Sequence, residues 1–180
     1  MIIEKLFDTF QREAFRIELL STYHIEREWE VFQKYKKGVP FKYKDNDDFC
    51  KEIRTLSKMN KSLIRVHIMP NKLTDYLKFE IKIGYLPQSK AGARIYLLNR
   101  SIYKEIMFAN NIQNDFWVFD NETVLEFIYD KNGHFISEKI VRNDKVINKC
   151  LLLKDKILEV ALPLNKWLLK NNKLINSISL

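Results

Sequence analysis

A chain of 180 residues that is 46% hydrophobic and 13% aromatic can bury the core of one ordinary domain, which excludes a wholly disordered polymer. Its 31 basic residues exceed its 23 acidic ones, a formal net charge of +8, and this favours anionic partners such as nucleic acid or an acidic protein. No apolar run approaches the ~18 residues of a membrane span, and the start "MIIEKLFDTFQRE" gains charge too early for a signal peptide, so a cytoplasmic protein with no membrane attachment is expected.

The spacing of Ile3, Leu6, Phe7 and Phe10 predicts a helix from Ile2 to about Arg12. In "AFRIELLSTYHI" a short strand alternates Phe15, Ile17 and Leu19 with Arg16, Glu18 and Leu20. "EREWEVFQKYKKG" reads as a helix with an apolar stripe of Trp29, Phe32 and Tyr35, lysines in its last turn and a stop at Gly38. Asp45 to Asp48 open a further helix that turns Phe49, Ile53 and Leu56 inward. "SLIRVHIM" is the clearest strand, with Ile64, Val66 and Ile68 on one face and Arg65 and His67 on the other.

Residues 73–84 fit two periods. Leu77, Phe79, Ile81 and Ile83 alternate as in a strand, whereas Thr74 and Asp75 start a helix with Leu73, Tyr76, Leu77 and Ile81 as its stripe. The helix is preferred. "GARIYLLN" is a strand, followed by a meander of strands near Phe116–Phe119, Val124–Tyr129 and Phe135–Val141 with turns at Asp120-Asn121 and Lys131-Asn132-Gly133. A long C-terminal helical region is interrupted at Pro163. The whole predicts a single α+β domain over residues 1–180, with an antiparallel-rich sheet, packed helices and a long C-terminal helix.

"FRIELLSTY", "RVHIMPNKLTDYLKFEI", "AGARI", "DFWVFD" and "YDKNGHF" occur in an order that resembles a bacterial domain-of-unknown-function family found mostly in actinomycetes. The resemblance spans about residues 10–165. It implies a gene neighbourhood with antitoxin-like helix-turn-helix regulators, and so a regulator of that kind as a partner; it implies no particular chemistry. Two positions depart from the family pattern: Lys72 stands where a proline is usual, and Ala93-Arg94 where an acid is usual.

Four residues form the candidate catalytic set. Arg65 and His67 share a strand face, and Tyr76 and Glu80 share a helix face four residues apart. Brought together they would suit a phosphodiester or other anionic substrate: arginine as clamp, histidine as acid or base, tyrosine as donor, glutamate orienting the histidine. The alternative is a structural Arg65–Glu80 ion pair with His67 packed beside an aromatic ring. Arg16 and Glu18 would extend the patch as ligand-binding residues, or simply pair across the sheet. Trp117 would stack a base or anchor a partner if exposed, and would otherwise be core. Arg94 is a further candidate ligand-binding residue, while Asp115 and Asp120 read as turn residues.

Cys50 and Cys150 lack metal spacing and read as thiols of a reducing compartment. His24, His67 and His134 form no HxH or HExxH motif, and no P-loop, GxGxxG or GxSxG occurs, so no metal or cofactor is expected. Apolar residues in excess of one stripe after Lys149 suit a core-closing helix or a surface for a homodimer or another partner. Two functions follow: a regulatory, interaction protein that binds a protein partner and nucleic acid, or an enzyme acting on a phosphodiester, such as a nuclease-like toxin.

Overall fold

The computed structural model describes residues 1–107 and 112–171. Its strands are β1 (Glu13–Glu18), β2 (Ser62–Met69), β3 (Arg94–Asn99), β4 (Asp115–Phe119), β5 (Thr123–Tyr129), β6 (Phe135–Val141) and the short β7 (Leu162–Pro163). They form one mixed sheet in the order β6-β5-β4-β1-β2-β3-β7. β1, β2 and β3 run parallel, and β4, β5, β6 and β7 join by antiparallel ladders. The expected α+β domain with an antiparallel-rich sheet is therefore what forms. The sheet also has a parallel centre, β1-β2-β3, which strand patterning alone does not specify.

Parallel neighbours need crossovers, and helices supply them. α1 (Ile2–Thr9) precedes β1; α2 (Glu26–Lys36) and α3 (Lys44–Lys58) link β1 to β2. Between β2 and β3, α4 (Asp75–Phe79) runs through a π-helical turn (Glu80–Tyr85) into α5 (Leu86–Ala91). α6 (Arg100–Met107) follows β3, α7 (Asp144–Val160) follows β6, and α8 (Leu164–Lys170) follows β7. Thr74 caps α4 by accepting the Leu77 N–H, so residues 73–84 take the preferred helical form.

Strand alternation divides the core into two layers. Leu63, Ile95, Leu97, Trp117 and Leu125 face α3, the α4–α5 segment and α8. Phe15, Ile17, Ile64, Val66, Ile68 and Val118 face Tyr103 of α6 and Leu153 and Ile157 of α7. A third cluster, Tyr23, Phe32, Tyr76 and Phe79, packs α2 against α4.

Several local expectations are corrected. The first helix stops at Thr9, not Arg12, because the Asp120 carboxylate takes the Gln11, Arg12 and Glu13 N–H groups at 2.7, 2.7 and 2.9 Å. Trp117 is 4% exposed, with Phe7 and Phe119 rings packed on it, so it has no free face for a base. The interruption expected at Pro163 does occur, and it takes the form of an edge strand, Leu162–Pro163. Leu164 and Trp167 close the core, Leu169 is exposed, and residues 172–180 of the expected docking tail lie outside the described residues.

Asp120 and Asn121 both have positive φ and form the centre of a tight turn, closed by the Glu122 N–H on the Phe119 carbonyl at 3.0 Å, within the three-residue β4–β5 connection. Asp120 ties that turn to the start of β1. Asp120→Ala should lower unfolding stability by about 1–3 kcal/mol in denaturant titration, and Asp120→Asn by clearly less, since an amide oxygen keeps part of the acceptor. Equal losses would show that the carboxylate bonds contribute nothing.

Candidate functional site

β1 and β2 have neighbours on both edges and helices over both faces, a setting that calls for uniformly apolar strands. One face breaks that rule. Arg16 and Glu18 of β1 stand in register with Arg65 and His67 of β2. Asp115, the first residue of β4, joins them. Glu18, Arg65, His67, Asp115 and Glu80 are each at most 8% exposed.

Their bonds are mutual. Arg65 grips Glu18 in a two-point pair, Nε to Oε2 at 3.0 Å and Nη2 to Oε1 at 2.8 Å. Its Nη1 donates to Gln88 of α5, and its plane lies 4.8 Å from the centre of the Tyr85 ring. Arg16 lies 3.4 Å from Glu18 Oε1 and 3.7 Å from Asp115 Oδ2, with Trp117 and Phe127 rings each 5.4 Å away. Asp115 accepts the Leu19 N–H at 2.8 Å and the Tyr23 hydroxyl at 2.6 Å.

The partners of His67 fix its tautomer. The Leu20 carbonyl, 2.7 Å from Nε2, can only accept, so Nε2 carries the proton. Nδ1 then accepts from the Tyr85 hydroxyl at 2.5 Å. That hydroxyl also lies 3.2 Å from Glu18 Oε2. Protonation of His67 would turn Nδ1 into a donor and swing the Tyr85 proton to Glu18.

Burial and charge set the ionisation states. Burial opposes the Glu18 charge, but the Arg16 and Arg65 guanidiniums outweigh it and bring the carboxyl down to about 2. Burial depresses His67 to about 4, so the imidazole is neutral at pH 7. Burial lifts Asp115 to about 6, with Arg16 and Tyr23 pulling the other way. Burial, then the Glu28 carboxylate, pushes Glu80 well above the usual carboxylate range.

The four expected catalytic groups share one neighbourhood but not the expected roles. Glu80 reaches Arg65, Oε1 to Nη2 at 3.5 Å. It does not orient His67; Leu20 and Tyr85 do. Tyr76 donates to Glu28 of α2. Arg94 sits at the opposite end of the sheet, bonded to Ser62 and Glu13. Asp115 is no turn residue: it starts a strand and is buried in the charged row. Tyr85, Gln88, Asn46 and Glu28 join the site without having been singled out. The π-helical turn explains Tyr85: its wider winding sets Glu80 and Tyr85, five apart, toward the same strands, where ordinary helical spacing would have chosen Gly84.

Glu80 and Arg65 also line a cavity of about 200 Å³, together with Glu28, Tyr43, Asn46 and Gln88. Among the described residues, no group of three or more His, Cys, Asp or Glu is arranged to hold a metal.

His67 in the unfolded chain binds a proton near 6.5, and in the folded chain only near 4. Unfolding therefore takes up a proton between those values, and the His67 contribution to stability falls as pH drops through that window, by up to ~3 kcal/mol. The stability gap between the protein and its His67→Asn variant should narrow on acidification from 6.5 to 4. Imidazole nitrogen shifts in NMR should stay neutral down to about 4; a midpoint near 6.5 would mean the ring is open to water.

No protein with a curated description matches the chain. The family described as a domain of unknown function, DUF6879, matches residues 2–169, which takes in the charged row, the cavity and every strand described above; the protein belongs to that family.

Proposed function

We propose that the chain is a cytoplasmic interaction protein with a regulatory role, which binds a protein partner through its exterior and nucleic acid, or another anionic ligand, as a second target. The observation that carries this reading is the engagement of Arg65 and His67 by their own neighbours. Both imidazole nitrogens are bonded, and Arg65 is held by Glu18, Gln88 and Glu80. A group that must take up and release protons, or clamp a substrate, needs a free position, and neither side chain offers a ready one.

The distribution of charge supports it. Inside, Arg16, Arg65 and Lys154 offset Glu18, Glu80 and Asp115 in formal charge. The excess of +8 therefore lies on the rest of the chain, where it can attract an anionic partner. β6 is an edge strand with Phe135 and Ile136 exposed at 41% and 60%, a place for a protein partner to touch. A helix-turn-helix regulator is the partner that the family resemblance suggests, and a second copy of the chain is the competing one.

The second reading, an enzyme acting on a phosphodiester, has one observation in its favour: Glu80, a buried carboxyl with a raised pKa, borders a cavity beside Arg65. Affinity for a short DNA duplex separates the two. It should fall on the order of 10-fold or more between about 50 and about 200 mM salt, and His67→Asn should leave it unchanged. Binding that ignores salt contradicts the interaction reading. So does cleavage of the duplex, or of RNA, that disappears in a folded Glu80→Gln variant.

A further inference from the structure

Glu80 stands apart from the other buried carboxyls of the row, since Glu18 and Asp115 both accept hydrogen bonds. It is 7% exposed, yet among the described residues neither carboxyl oxygen takes a hydrogen bond. Its Oε1 lies 3.5 Å from Arg65 Nη2, and Arg65 is already committed at shorter range to Glu18 and Gln88. Buried polar groups nearly always find partners, so a carboxyl left open toward a cavity marks a place built to receive one.

The cavity beside it is about 200 Å³, room for a molecule of a few heavy atoms. Three acids line it, Glu28, Asp45 and Glu80, against the single cation Arg65. Glu28 is fixed in place by the Tyr43 hydroxyl at 2.7 Å and by Tyr76. Asn46 is held by the Ile83 carbonyl and Gln88, and Gln88 in turn by Arg65. These walls are preorganised and carry an excess of negative charge.

We propose that this cavity, between α2, the start of α3 and the π-helical turn, binds a small organic cation, an alkylammonium or a guanidinium, received by the Glu80 and Glu28 carboxylates. An anion fits poorly. It would meet three acids, and the donors of Arg65 are largely used. A cation supplies the N–H donors that Glu80 lacks. The site goes beyond the proposed partner binding and does not depend on it.

Charge around Glu80 gives the binding a pH dependence. The groups facing it are Glu28 of α2, Tyr43 before α3 and Asp45 of α3 across the cavity, Arg65 of β2 with Glu18 and Arg16 of β1 behind it, and Tyr76 and Tyr85 of its own helical segment. Burial and then Glu28 disfavour its ionisation, and a bound cation opposes both. Affinity should therefore rise with pH from mildly acidic to mildly alkaline solution.

Gly84 provides a second handle. A Cβ there would lie 3.2 Å from Glu80 Oε1, and the position is helical, so alanine crowds the carboxyl without straining the backbone. Methylguanidinium and butylammonium, titrated into the full chain and followed by calorimetry and by the Gly84 and Asn46 NMR signals, test the site, with inorganic phosphate as the anionic control. One cation should bind per chain, tighter at higher pH. Glu80→Gln and Gly84→Ala should each weaken it at least 10-fold while thermal unfolding shows both folded, and phosphate should not compete. The proposal is overturned if neither cation shifts those signals, if phosphate does so instead, or if both folded variants bind as the parent does.

Discussion

Glu18 and Arg65 meet across two central parallel strands, out of contact with bulk water. Removing two charges from water is unfavourable by several kcal/mol per ion, and only close, well-oriented pairing offsets that. Here the parallel register of β1 and β2 brings alternate residues of each strand to the same face. Arg16 then lies on the far side of Glu18, and Asp115 beyond Arg16, so charges alternate along the row. The α4–α5 segment is bound to the row through Tyr85 and Gln88, and the β1–α2 loop through the Leu20 carbonyl and Tyr23. Chain segments far apart in sequence are thus positioned by one set of polar contacts, with aromatic rings packed around it.

A network closed in this way has consequences for what the molecule can do. The interior groups hold one another in fixed protonation states: Glu18 charged, His67 neutral. Such a row specifies geometry across strands, helices and loops. What remains available lies at its margins, namely the Glu80 carboxyl at the cavity, the basic exterior and the exposed edge of β6. The division also accounts for the composition. Arginines and acids are used in matched sets inside, while the unbalanced positive charge, mostly lysine, is left outside.

Much of this was legible in the sequence. "SLIRVHIM" alternates cleanly, and the two faces it implies are the two faces observed. The meander and its Asp120-Asn121 turn follow from turn chemistry that requires positive φ. The polar side chains on β1 and β2 meet in one buried row, because a guanidinium and an imidazole on a strand need partners wherever they are buried. The partners themselves were not legible. Gln88, Asn46 and Glu28 arrive from separate helices, and nothing local marks them. Asp115 looked like a turn residue because it begins its strand after a polar segment. Tyr85 was hidden by the π-helical turn, which alters the spacing at which helix positions share a face. Arg94 belongs to the other end of the sheet.

A double-mutant cycle on Glu18 and Arg65 measures the central pairing most directly. Arg65→Met leaves the Glu18 carboxylate buried beside fewer cations and should lower unfolding stability by about 3–5 kcal/mol. Adding Glu18→Gln removes the stranded charge, so the double variant should be more stable than the sum of the single losses by at least ~2 kcal/mol. Losses that simply add, within ~0.5 kcal/mol, would mean that the two side chains do not depend on each other and that the row does not organise the fold.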